Sequence, residues 1–415
     1  MIFADKNIPS TPTTLPWAKE YPKKVDRVRS KFKRFSLTHL VWLLLSISAL
    51  GQSKTKIVTG AEQMNLLLPM IESKSVALMV NTTSVIGQVH LVDSLQRLKV
   101  NIKKIFAVEH GFRGKADAGE TVNDTIDART GLPVISIYGN TKKPTPEQLA
   151  DVDVVLFDIQ DVGVRFFTYI SSMHYLMEAC AENRKKIIVL DRPNPNGSYI
   201  DGPVLNLELK SFVGMHPIPI LHGLTVGELA QMINGEGWLS GGKKCDLHVL
   251  AMKNYHHRKI YSLLVKPSPN LPNDHTIALY PSTCLLEGTV ISVGRGTKNP
   301  FEIVGHPSLK NQPFHFKPER IEGMAKNPPY ENKVCYGLDL RKENASGLSL
   351  SYLIKLFHDY QDPEKFFTSY FDKLAGNKIL KEQIKKGLSE EDIKDSWRKE
   401  LNQYKTMRKK YLLYP

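Results

Sequence analysis

A chain of 415 residues is too long for one ordinary domain and indicates two or three. Its 41% hydrophobic and 24% charged residues exclude a disordered chain and a multi-span membrane protein. The formal charge of +14 raises nucleic acid as a partner, yet residues 1–51 hold nine Lys/Arg against three Asp/Glu, leaving about +8 for the rest, and no RRM, zinc-finger or basic-zipper pattern accompanies it. No nucleic-acid partner is therefore expected.

The amino terminus has the order of a secretory signal peptide. Basic residues 23–34 (KKVDRVRSKFKR) precede the apolar run Leu40–Leu50 (LVWLLLSISAL), and Ala49 and Gly51 are small residues where a signal peptidase reads. The run is short of the roughly 20 apolar residues of a membrane span, and no cysteine follows it for a lipid anchor. Residues 1–51 are read as a long presequence, the mature chain as starting near Gln52, and the protein as exported to the periplasm or beyond. Contact with a membrane is expected only through that presequence. The four cysteines, Cys180, Cys245, Cys284 and Cys335, lack metal-ligand or CxxC spacing and are read as buried thiols.

From residue 56 to 225 short β-branched runs alternate with amphipathic stretches. Val76–Val80, Ile105–Val108, Val134–Tyr138, Val152–Phe157 and Ile187–Leu190 predict buried strands. Leu91–Leu98 and Tyr169–Ala181 predict helices, the second with Ile170, Met173, Leu176, Met177 and Cys180 on one face. This alternation predicts a doubly wound α/β fold with a mostly parallel sheet. Polar residues follow four of the five strands: Asn81, then Glu109 and His110, then Asp158, Gln160 and Asp161, then Asp191 and Arg192. In a parallel sheet all of them emerge at the carboxyl edge, where open α/β sheets bind ligands. The half from 226 to 415 is less regular. Thr225 and Glu228 form a capping box for a helix over Thr225–Asn234, and the charged stretch 363–412 reads as helices with a solvated face and no chemistry. The expected organisation is thus a domain over 52–225 and a smaller α/β domain with a helical tail over 226–415.

Several chemistries are excluded by their missing motifs. No GxGxxG follows the first strand, and there is no P-loop, no GxSxG elbow and no HExxH. His256-His257 is read as a surface pair. What remains is carboxylates with arginines: Glu109-His110 and Arg113 in a glycine-flanked turn, Glu120, Asp127, and then Asp158, Gln160, Asp161 and Arg165 with Thr168 and Tyr169 beyond. Glycoside hydrolysis needs such an inventory, with one carboxyl as acid, a second carboxylate and amides or hydroxyls for the sugar. The same acids suit a divalent metal, or internal bridges to Arg113 and Arg165.

At these residues the chain resembles the peptidoglycan exo-β-N-acetylmuramidase family. The segments that carry the resemblance are Glu109–Gly114 (EHGFRG), Ala118–Glu120 (AGE), Thr130–Tyr138 (TGLPVISIY), Phe157–Arg165 (FDIQDVGVR) and Phe167–Ser171 (FTYIS). They continue through Leu190–Asn196 (LDRPNPN), Asp201–Pro203 (DGP), Phe212–Gly214 (FVG), Pro217–Glu228 (PIPILHGLTVGE), Pro267–Asn273 (PSPNLPN), Tyr280–Thr289 (YPSTCLLEGT), Gly294–Thr297 (GRGT) and Pro300–Glu302 (PFE). The tail Lys410–Tyr414 also resembles the family's end, so the likeness spans about residues 56 to 414. Val108 and Val290-Ile291 depart from the family's usual residues.

The resemblance implies a Rossmann-like larger domain, a smaller α/β domain, a cleft between them, and no cofactor or metal. It implies release of N-acetylmuramic acid from the non-reducing end of peptidoglycan fragments, with muropeptides or disaccharides as substrate. On that reading Glu109 is the general acid, His110 orients it, and Asp158 or Asp161 is the second carboxylate, with Glu120 as a substitute for either. Asn81, Gln160, Tyr169, Asn270 and Glu287 are candidate sugar contacts. The lactyl carboxylate of muramic acid calls for a cation, for which Arg113, Arg165, Arg192 and Arg295 are candidates, at least two of them expected to serve internal ion pairs instead. Two other readings stay open: a metal-dependent hydrolase or esterase of another envelope polymer, and a non-catalytic binder of wall fragments.

Overall fold

The computed structural model describes residues 55–109, 111–113, 124–139 and 141–415. The presequence expected over 1–51 and two of the candidate residues, His110 and Glu120, lie outside the described residues. In the first part of the chain come helix α1 (Met64–Ile71), strand β1 (Val76–Val80), the hairpin β2 (Val85–Ile86) and β3 (Val89–His90), α2 (Leu91–Arg97), β4 (Ile102–Ala107), β5 (Thr125–Ile126) and β6 (Pro133–Ser136). They are followed by α3 (Pro146–Leu149), β7 (Val154–Asp158), α4 (Tyr169–Glu182), β8 (Lys186–Leu190), α5 (Val226–Gly235) and β9 (Asp246–Leu250). The remainder holds α6 (Asp274–Thr283), strands β10 (Ile303–His306), β11 (Phe314–Phe316) and β12 (Cys335–Asp339), and helices α7 (Ser351–Asp359), α8 (Pro363–Phe366), α9 (Phe371–Ala375), α10 (Ile379–Lys385), α11 (Glu390–Ser396) and α12 (Arg398–Arg408).

Seven strands form the central sheet in the order β5-β6-β4-β1-β7-β8-β9. All neighbours are parallel except β5, which pairs antiparallel with β6. Counted along the chain, the parallel strands stand in the 3-2-1-4-5-6 order of a Rossmann sheet. The period of two in each strand sorts its apolar residues onto the two faces. Leu78, Val80, Ile105, Leu156 and Ile188 meet α1 and α2 through Leu67, Ile71, Leu91 and Leu95. Met79, Phe106, Phe157, Ile187 and Val189 meet α4 and α5 through Met173, Met177, Leu229 and Ile233 on the other face. Strands buried on both sides therefore read as unbroken apolar runs.

Strand β9 was not expected, because Asp246–Leu250 (DLHVL) alternates polar and apolar residues. It is an edge strand with only Leu250 fully buried, so burial never imposed an apolar run on it. A boundary at residue 225 leaves α5 and β9 on its far side, although β9 pairs with β8 and α5 packs beneath the same sheet. The smaller C-terminal part carries the antiparallel sheet β10-β12-β11 and the helices from α7 onward. Its Leu285, Phe301, Leu353, Phe371, Leu374, Leu380 and Leu401 belong to the same apolar cluster as Met79 and Phe157. Residues 56–415 accordingly form one compact unit. All four cysteines are buried thiols, as expected.

Buried polar side chains tie the tail to the sheet. Asp191, at the end of β8, accepts from Thr225 Oγ1 (2.7 Å), Gly227 N (2.8 Å) and Tyr414 Oη (2.6 Å). Burial pushes its pKa up to about 6, against the opposing pull of those donors. The capping box of α5 forms as expected. Glu228 of that box also accepts from Leu413 N (2.9 Å) and bonds His257 (3.0 Å), which is buried and not at the surface as the sequence suggested.

Arg165 joins the sheet part to the C-terminal part. Its guanidinium is fully buried and donates to the carbonyls of Pro203 (2.7 Å), Ile218 (2.8 Å), Leu374 (2.9 Å) and Ala375 (2.8 Å). No carboxylate pairs with it among the described residues, and burial pulls its pKa down to about 9, which leaves it charged at neutral pH. Gly376 ends α9 at φ +81°, and a Cβ there would stand 2.4 Å from the Arg165 Nη2. Arg165→Met takes a donor from four carbonyls, of which Ile218 keeps only Leu205 N, and is expected to lower the unfolding free energy by roughly 3 kcal/mol or more, measured by urea denaturation. Arg165→Lys should recover little, because an ammonium is a point donor that cannot span both pairs of carbonyls. An unchanged unfolding midpoint in either variant contradicts the assignment.

Candidate active site

The polar residues at the ends of β1, β7 and β8 do not line an open crevice. They bind one another. Arg192 grips Asp158 through Nε (2.5 Å) and Nη2 (2.8 Å), both side chains being buried. Asn81 Oδ1 accepts from Thr83 N (2.9 Å) and Oγ1 (2.6 Å), and Ser84 Oγ donates to the Asp158 carbonyl. Gln160 Nε2 donates to the carbonyls of Asp161 (2.7 Å) and Pro193 (2.6 Å). Asp161 accepts from Gly163 N (2.7 Å) and faces His222 Nε2 at 3.5 Å. The expected crevice is thus filled by the chain itself, since buried polar groups close to one another satisfy their own hydrogen bonds.

An open pocket of about 430 Å³ lies beside this network. Glu109, just past the end of β4, stands on one wall. Its Oε1 accepts from Tyr138 Oη (2.9 Å) and its Oε2 from Thr168 Oγ1 (3.2 Å). Tyr138 follows β6, the strand beside β4. Thr168 precedes α4 and makes no capping bond to that helix, so its hydroxyl is turned to Glu109 instead. The shared burial of Tyr138 and its contact with Glu109 hold the phenol well above its ordinary pKa, which keeps it a donor.

The facing wall comes from the C-terminal part. Glu287 lies in the turn Cys284–Gly288 that continues α6, and Arg295 Nε donates to its Oε1 at 2.6 Å. The Arg295 guanidinium lies 5.1 Å from the centre of the Phe301 ring. Tyr280 packs edge-on against Phe166 (5.4 Å), Phe167 (6.1 Å) and Phe301 (5.0 Å), making an aromatic floor. Tyr370, Lys373 and Leu374, at and within α9, complete that wall. The turn and α9 approach closely at Gly288, where a Cβ would come within 2.5 Å of the Phe371 Cα. Ser211, Phe212 and Val213 form a lip anchored by Ser171 Oγ on the Phe212 carbonyl (2.7 Å).

Of the candidate residues, the structure gathers Glu109, Tyr169, Glu287 and Arg295 around one pocket. Asn81, Asp158, Asp161, Gln160 and Arg192 belong to the buried network, and Arg165 to its carbonyl cage. Arg113 binds Asp127 through Nε (2.8 Å) and Nη2 (2.7 Å) and also reaches Asp93 (3.3 Å). Asn270 donates to the Met324 carbonyl (3.0 Å) and shapes the loop that places Ser268 at the rim. Tyr138, Tyr370 and Lys373 were not singled out. Tyr138 sat inside a predicted strand, and Tyr370 and Lys373 inside a charged helical stretch read as solvated. No motif marks them, because the fold alone brings them to the pocket. Among the described residues no three His, Cys, Asp or Glu side chains converge as metal ligands. Asp158→Asn leaves Arg192 buried without a counter-charge and is expected to cost about 3–5 kcal/mol of stability in denaturant titrations. A loss under 1 kcal/mol contradicts that placement.

Comparisons with known proteins agree with this architecture over its whole extent. The family model for the N-terminal part of the exo-beta-N-acetylmuramidase NamZ matches residues 76–275, and that for its C-terminal part matches 278–414. The chain is 41% identical over 389 residues to the peptidoglycan beta-N-acetylmuramidase NamZ of Bacillus subtilis, covering 87% of this chain and 92% of that protein. Two crystal structures of DUF1343 family proteins from Bacteroides fragilis are also similar. One has a TM-score of 0.81 at 44% identity, covering 87% of this chain and 99% of the other. The second has a TM-score of 0.72 at 34% identity, covering 86% and 99%. With both halves matched and the pocket formed between residues of both, the chain belongs to the NamZ exo-β-N-acetylmuramidase family.

Proposed function

We propose that this chain is an exo-acting glycosidase that releases N-acetylmuramic acid from the non-reducing end of peptidoglycan fragments. The observation that carries the reading is the pocket itself: two carboxylates, Glu109 and Glu287, on walls from different parts of the chain, over an aromatic floor. Its volume falls in the range of clefts that enclose small ligands. Aromatic faces suit the apolar faces of a pyranose, and the hydroxyls of Thr168, Ser211 and Ser268 suit its polar edge.

In this reading Glu109 protonates the glycosidic oxygen as the bond to the anomeric carbon breaks. Tyr138 and Thr168 each donate to one of its oxygens and so fix the direction in which the carboxyl faces. Glu287 replaces Asp158 and Asp161 as the second carboxylate, opposing the positive charge that develops on the sugar ring. Arg295 holds its orientation. Water then forms the new bond to the anomeric carbon, its hydroxyl staying on the released sugar and its other proton passing to a carboxylate of the pair, which restores the proton that Glu109 gave to the leaving oxygen. Glu109→Gln is expected to lower kcat at least about 100-fold with substrate binding retained. Asp158→Asn, assayed below its unfolding temperature, should keep kcat within a few-fold. The reverse pattern would overturn both assignments.

The same reading places the protein outside the cytoplasm, where peptidoglycan lies. Its support is the basic stretch 23–34 followed by the apolar run 40–50. Intact mass of protein recovered from the producing cells should show a chain beginning near Gln52. A chain recovered with residues 1–51 still attached, and in the cytosolic fraction, sinks the export proposal.

A further inference from the structure

We propose that Lys373 is the residue that recognises the lactyl carboxylate, and so makes the pocket select muramic acid over glucosamine; this rests on the glycosidase reading above. The two sugars differ by a lactyl ether that adds one carboxylate. A pocket that prefers the acid must face it with a cation whose charge is not already matched.

The arginines are committed elsewhere. Arg113 belongs to Asp127 and Asp93, Arg192 to Asp158, and Arg165 to four carbonyls, and none of the three lines the pocket. Arg295 lines it but is held against Glu287 at 2.6 Å. Lys373 lines it as well, and no carboxylate or hydrogen-bond acceptor engages its ammonium among the described residues. The nearest acid in the chain, Asp372, is taken by Lys381 at 3.1 Å. Without a guest, the pocket therefore holds Glu287 matched by Arg295, Glu109 hydrogen-bonded by two hydroxyls, and one unmatched cation.

The backbone beneath Lys373 is held firmly. The carbonyls of Leu374 and Ala375 accept from Arg165, and that of Gly376 accepts from Asn206 N at 2.8 Å. The flexible four-carbon stem of Lys373 thus starts from a fixed stretch of helix. Arg165 acts as a positioning residue, carrying the order of the buried core to the pocket wall. A lysine suits this task because its three donors meet a carboxylate without a fixed fork geometry.

The test compares two chromogenic β-glycosides, one of N-acetylmuramic acid with its free lactyl carboxylate and the other its methyl ester. Lys373→Met should lower the acid-over-ester ratio of kcat/KM by roughly 10- to 100-fold, mostly through KM, as loss of one charged hydrogen bond predicts. Lys373→Arg should restore most of the ratio. The ester rate reports that the variant has folded. An unchanged ratio in Lys373→Met overturns the assignment, as does an equal loss on both substrates, which marks a structural role. A natural chain that releases sugar from neither glycoside overturns the glycosidase reading instead, so the two failures are distinct.

Discussion

A buried guanidinium that pairs with no carboxylate among the described residues organises this molecule. Arg165 follows β7 in the chain, yet two of its four hydrogen bonds go to carbonyls at the end of α9, more than 200 residues away. A charge removed from water must be solvated by something, and here backbone carbonyls replace the water. Those carbonyls are the last of a helix, which have no partner within it. Each side therefore meets the other's unsatisfied groups, and neither is satisfied alone. The wall carrying Tyr370 and Lys373 is located by that exchange.

The same logic explains why the pocket is not where an open Rossmann sheet first suggests. At the switch between β1 and β7 the strand ends carry Asn81, Asp158, Gln160 and Asp161, a set that looks like a site. The long connection from β8 to α5 folds over these ends and brings Arg192, Pro193 and Asn194 onto them. Asp158 and Arg192 then neutralise one another in the interior, where a lone charge of either sign would be costly. The opening moves sideways to β4 and β6, where Glu109 and Tyr138 stay at a surface.

Two parts of one chain build the pocket. The sheet part supplies Glu109 with its two hydroxyl donors, and the C-terminal part supplies Glu287, Arg295 and α9. Glu287 and Arg295 lie eight residues apart, across a turn that packs so closely on α9 that Gly288 has no room for a side chain. Such close packing keeps the wall rigid, since no side chain of Gly288 stands between the turn and the Phe371 backbone. The aromatic floor of Phe166, Phe167 and Tyr280 is shared across the same junction, with Phe301 packed on Tyr280.

Local sequence determined the fold class, because a strand buried on both faces is apolar nearly throughout, and three of the five runs, Val76–Val80, Ile105–Val108 and Ile187–Leu190, are apolar at every position. It determined the helix at Thr225, because a capping box is a local hydrogen-bond pattern. Glu109 was legible as a polar residue at a strand end, and the ordered segments carried the family. The edge strand β9 was not legible, since one exposed face leaves no apolar run. The partners of the arginines and acids were decided only by tertiary structure, as residue type says that Asp158 needs a cation but not that Arg192 will reach it first. Lys373 shows the same limit from the other side: a lysine in a charged helix looks solvated, and only the packing of α9 against the sheet part places it at the pocket.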